Sequence, residues 1–94
     1  MKNEGKMMTT KLKIFTKKDC PNCPLAKKIG KKLEGQGANI EWFDLDEEIG
    51  LTEGVYFDVM ATPTLILTDE NDNELLAWRG EVPPIETLQK ELKL

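Results

Sequence analysis

Ninety-four residues, 39% of them hydrophobic and 32% charged, make room for one small folded domain and exclude a second. No apolar run approaches the roughly 18 residues that a membrane-crossing helix needs, and Met1 to Thr10 holds no stretch of the secretory kind, so the expectation is a soluble cytoplasmic protein without a membrane partner. The net charge of −4 hides an asymmetry: from Lys11 to Gly37 eight lysines face two acidic residues, and from Ala38 to Leu94 fourteen acidic residues face three basic ones.

Residues 1–10 are polar apart from their methionines and read as a flexible leader to a single domain over 11–94. A strand is expected at Lys11–Thr16, where Leu12, Ile14 and Thr16 alternate with Lys11, Lys13 and Phe15. The run Lys17-Lys18-Asp19-Cys20-Pro21-Asn22-Cys23-Pro24 is turn-like and leads into a helix whose first turn tolerates proline. That helix should reach about Glu34, with Leu25, Ala26, Ile29 and Leu33 on one face, Lys27, Lys28, Lys31 and Lys32 mainly on the other, and Gly35 and Gly37 stopping it. A second strand follows at Ile40–Leu45. The acidic stretch Asp46-Glu47-Glu48 then starts a short helix toward Tyr56 and Phe57, weakened by Gly50 and Gly54.

Thr64–Thr68 and Glu74–Trp78, joined by the polar turn Asp69–Asn73, read as an antiparallel hairpin. Pro83 and Pro84 open a last helix with Ile85, Leu88 and Leu92 as its apolar stripe. The order βαβαββα predicts an α/β fold with a mixed four-stranded sheet and flanking helices: a parallel pair joined through a helix, plus the hairpin.

Cys20 and Cys23 carry the chemistry. Their spacing at a helix amino terminus suits a reversible bridge, and the unpaired amides and positive dipole end there favour the Cys20 thiolate. Lys17 and Lys18 add positive charge beside it, and Asp19 opposes them. In a reducing compartment a bridge closing so short a loop would stabilise little, so reactivity is the better reason for the pair. Cys20 is expected to attack a substrate disulfide and Cys23, the more shielded, to resolve the mixed disulfide. The same spacing can supply half of a metal site. With no histidine and only two cysteines, a closed zinc site within one chain would need carboxylates, so no metal or cofactor is expected. Shared between two copies, the pair could hold a metal or an iron-sulfur cluster, and that binding module stays open as an alternative, as does a regulatory domain whose cysteines respond to oxidants without turnover.

Ala61-Thr62-Pro63-Thr64 stands just before a β-rich run. With the cysteine pair and the element order over roughly Lys11 to Leu94, it makes the chain resemble the thioredoxin and glutaredoxin superfamily, in the manner of a small glutaredoxin-like thioredoxin. The resemblance implies a thioredoxin-like fold and a thiol-disulfide oxidoreductase of the electron-carrier type. It implies a cis peptide bond before Pro63, opposite the cysteines, with Thr62 offering its backbone to an extended substrate. Lys17, three residues before Cys20, and Cys20-Pro21-Asn22-Cys23 resemble glutaredoxins, although Asn22 replaces their usual aromatic residue, Ala61 their usual threonine, and Trp78-Arg79-Gly80-Glu81 lacks their paired glycines. The thioredoxin pattern departs too, with no aromatic before Cys20 and Pro21-Asn22 in place of glycine-proline.

The partners implied are protein disulfides as substrates and a reductase or glutathione as electron donor, with the chain a monomer; a glutathione-dependent glutaredoxin is the second alternative. Nucleic acid is not expected, because the basic stretch is short, lacks interleaved aromatics and belongs to an acidic chain. Trp42 and Trp78 read as strand-edge or core residues. Tyr56, Phe57, Val59 and Met60 read either as a docking surface or as packing beneath the Thr62-Pro63 loop.

Overall fold

The computed structural model describes residues 10–94, so of the expected leader only Thr10 falls among the described residues. The chain forms β1 (Lys11–Thr16), α1 (Cys23–Gly35), β2 (Ile40–Asp44), α2 (Glu48–Tyr56), β3 (Thr64–Thr68), β4 (Glu74–Arg79) and α3 (Ile85–Glu91). This is the expected order. The sheet runs β2-β1-β3-β4, with β1 parallel to β2 and the other pairs antiparallel.

Alternation along β1 and β3 divides the core into two layers. Leu12, Ile14, Leu65 and Leu67 point to the face covered by α1, through Ala26 and Leu33, and by α3, through Leu88. Ile85 and Leu92 pack partly against this layer, as their spacing predicts. Phe15 and Ile66 point to the opposite face, where they meet Phe57, Phe43 and Val59. That face is covered by α2, whose contact side is made of glycine: Gly50 and Gly54 are its buried residues. A Cβ at Gly50 would run into the backbone of Asp44, so the two glycines that lower helix propensity are also what lets the helix lie close on β2.

One expectation about burial fails, and one buried charge is not expected at all. Leu25, assigned to the buried face of α1, is exposed, because it sits on the flank beyond the arc of Cys23, Ala26, Gly30 and Leu33. Lys13, in a position that alternation alone leaves open to solvent, is only 2% exposed. Its Nζ donates to Glu41 Oε1 at 2.6 Å and Glu53 Oε2 at 3.0 Å, lies 3.3 Å from Asp72 Oδ1, and sits over the rings of Phe43 and Phe57. Burial pushes the Lys13 ammonium toward neutrality, but the hydrogen bonds and charges of Glu41 and Glu53 outweigh it and hold its pKa above the ordinary value. Trp42 is a surface residue of the edge strand, against Lys31, and Trp78 packs partly on the core.

Candidate active site

The parallel strands β1 and β2 end side by side, and the loops that leave them are stitched together. Leu45 N–H donates to the Thr16 carbonyl at 2.8 Å, and Lys18 N–H donates to Asp46 Oδ2 at 2.8 Å. Asp46 is itself fixed by its amide, which donates to Asp44 Oδ1 at 2.8 Å. The first loop then turns through Asp19, in the left-handed region at φ 58°, and delivers Cys20 to the start of α1.

Cys20 and Cys23 are joined in a disulfide, their Cα atoms 5.3 Å apart. Cys23 opens α1, with Asn22 as N-cap and Pro24 in the first turn, where an amide would lack a helical acceptor anyway. Its N–H donates to the Cys20 carbonyl at 3.2 Å. The Asn22 side chain makes no capping bond, so the amino end of the helix keeps its positive pole beside the sulfurs. The two cysteines differ in access: Cys23 is 3% exposed, and Cys20 is half-buried.

The Thr62–Pro63 peptide bond is cis. Pro63 is buried, its carbonyl accepts the Gly80 amide at 2.9 Å, and Thr64 Oγ1 donates to the Ala61 carbonyl at 2.6 Å. The turn is thus anchored on both sides of Thr62, while among the described residues Thr62 itself enters no backbone hydrogen bond.

Thr62 and Lys17 line one open groove of about 430 Å³, together with Ala61, Leu45, Asp46, Leu51, Val59 and Met60. One wall is therefore the loop that carries Cys20, and the floor is apolar. Of the residues singled out by sequence, the structure joins Cys20 to Cys23 and brings Lys17 and Thr62 to the groove; Pro63 supports Thr62 from beneath. Asp46, which also lines the groove, carries no local signal in the sequence that would place it there, since its tie to Lys18 spans 28 positions. Of the run Tyr56 to Met60, Phe57 is buried while Tyr56 and Met60 are exposed.

Among the described residues no group of three or more His, Cys, Asp or Glu is placed to hold a metal ion, and no helix is long and apolar enough to cross a membrane. A redox-active cysteine pair at a helix amino terminus, on a mixed four-stranded sheet with a cis proline turn nearby, defines the class: a thioredoxin-like fold built around a dithiol. Known proteins agree. No family model matches the chain. Thioredoxin of Methanocaldococcus jannaschii is 24% identical over 89 residues, covering 92% of this chain and all of that one. A probable thioredoxin of Archaeoglobus fulgidus is 30% identical over 60 residues, 63% of this chain and 66% of that one. Among solved structures, a point mutant of thioredoxin from Halobacterium salinarum NRC-1 superposes with a TM-score of 0.76 at 20% identity, over 90% of this chain and 73% of that one. These similarities support a place for the chain in the thioredoxin/glutaredoxin superfamily. With the Cys20–Cys23 pair in place, the chain is a thiol-disulfide oxidoreductase.

Proposed function

We propose that Cys20 is the attacking thiolate and Cys23 the resolving one, acting on disulfides of other proteins. The observation that carries this reading is the unequal access of the two sulfurs at the amino end of α1. In the reduced protein the Cys20 thiolate attacks one sulfur of a substrate disulfide, which releases the other as a thiolate. The Cys23 thiolate then attacks Cys20, releases the reduced substrate and leaves the Cys20–Cys23 disulfide, so two electrons have passed to the substrate. The positive end of α1 favours the Cys20 anion, and Lys17 adds to it from the groove wall.

Substrate chain lies along the groove, where Thr62 has backbone groups free to pair with an extended segment, Pro63 holds that turn in position, and Lys17 flanks the entrance. Electrons return from a reductase or from glutathione. The protein acts as a monomer in the cytoplasm, as an electron carrier, and uses no cofactor of its own.

The test is reduction of insulin with dithiothreitol as electron source. The intact protein accelerates precipitation of the insulin chains, Cys20→Ser abolishes the acceleration, and Cys23→Ser stalls after a single attack. Equal residual activity in both variants would remove the assigned order of attack.

A further inference from the structure

Helix α2 is turned inside out for a helix that covers a sheet. Its small residues Gly50 and Gly54 face inward and its large apolar ones face water: Ile49 is 78% exposed, Val55 71% and Tyr56 76%. At 100° per residue, Ile49 and Tyr56 fall about 20° apart and Val55 about 100° further round, and all three lie roughly 120–140° from the inward direction of Gly50 and Gly54, so their exposure belongs to the packing of the helix. A helix that meets solvent is expected to show the reverse pattern.

The apolar strip continues beyond the helix. Leu51 points to the groove side and Met60, 89% exposed, closes the strip at the far end. The charges at the two ends of the helix have one sign, Asp46, Glu47 and Glu48 at its start and Asp58 just after it, all exposed, while the cation Lys17 lies across the groove on the loop that carries Cys20. Arg79, which reaches the Phe57 carbonyl, is paired with Glu74, so it does not offset them.

We infer that the outward face of α2 docks a protein partner that presents an apolar, amphipathic segment flanked by lysine or arginine. Charge decides among the candidate occupants. A second copy meeting this face through the same face would bring carboxylates against carboxylates, and an anionic bilayer would be repelled in the same way. A basic amphipathic segment both covers the apolar strip and neutralises its rim. The surface is separate from the dithiol and does not depend on the redox reading. It adjoins the groove through Leu51 and Met60, so a partner seated there lies beside the loop that carries Cys20.

The test uses the full chain in its oxidised form, labelled with nitrogen-15, and a cysteine-free helical peptide of leucine and lysine, with a leucine and glutamate peptide of the same pattern as control. The proposal predicts saturable shifts centred on Ile49, Val55 and Tyr56 with the lysine peptide and none with the control. It also predicts at least about tenfold weaker binding by the double variant Val55→Asp, Tyr56→Asp. That variant should keep the parental circular dichroism spectrum at the temperature of the titration and reduce a small aromatic disulfide at the parental rate. Shifts spread over the acidic surface at large, or unweakened binding by the double variant, would overturn the proposal. So would a concentration-dependent mass of the free protein that the double variant abolishes, which assigns the face to a second copy. Binding that appears only after removal of residues 1–9 assigns it to the chain's own amino terminus, and sedimentation with neutral phosphatidylcholine vesicles assigns it to lipid.

Discussion

Replacing Lys13 by methionine keeps the packed aliphatic stem and deletes the ammonium. The change removes two charge-assisted hydrogen bonds, to Glu41 and Glu53, at about 1.5–3 kcal/mol each, together with the contact to the rings of Phe43 and Phe57. Against this, the cost of burying an ammonium, several kcal/mol, is recovered. What remains decides the balance. Glu41, Glu53 and Asp72 are 35%, 28% and 44% exposed, so they turn to water and are not stranded as buried charges. The loss should therefore fall below the 3–5 kcal/mol of a stranded ion, at about 2 kcal/mol near pH 7, or about 8–16 °C in Tm for a domain of this size.

The pH dependence has a definite sign. The folded-state pKa of Lys13 is raised, so its contribution is complete below 10.5 and is lost as the pH climbs through the raised value. Urea denaturation of the oxidised protein and of Lys13→Met should show a gap that is constant between neutral pH and 10 and closes above 10.5. A gap under about 0.5 kcal/mol at pH 7, or one that persists undiminished in strong alkali, would refute the reasoning.

Gly50→Ala places a methyl group against the backbone of Asp44, where no side-chain rotation relieves it, and should cost about 1–3 kcal/mol by the same urea measurement. The Lys11 ammonium, 2.7 Å from Asp72 Oδ1, holds the Asp72 carboxyl below the usual carboxylate value and outweighs its burial. Its contribution is complete above 3.8 and lost as the pH falls through the lower folded value, so the stability gap between the parent and Asp72→Asn should be present at pH 5 and close in stronger acid, followed by circular dichroism.

The strands and α1 are legible in the sequence because each follows one period: two along Leu12, Ile14 and Thr16, and about 3.6 along Ala26, Ile29 and Leu33. The cysteine pair is legible because its function depends on local spacing. Helix α2 is legible in position but not in orientation, since Gly50 and Gly54 weaken a propensity argument while being the contact face. Periodicity assumes that large apolar residues point inward, and here they do not. Lys13 and Asp46 escape for another reason. Their partners lie 28 to 40 positions away, on β2, on α2 and in the loop after β1, and only the folded sheet brings them together.

The central claim, that Cys20 attacks and Cys23 resolves, is tested most directly by mass spectrometry of the reduced Cys23→Ser protein after exposure to a peptide containing a single disulfide bridge. The account predicts a stable adduct carrying the peptide on Cys20, absent from Cys20→Ser under the same conditions. An adduct that forms on Cys23 in the Cys20→Ser protein, with none on Cys20 in the Cys23→Ser protein, would contradict it.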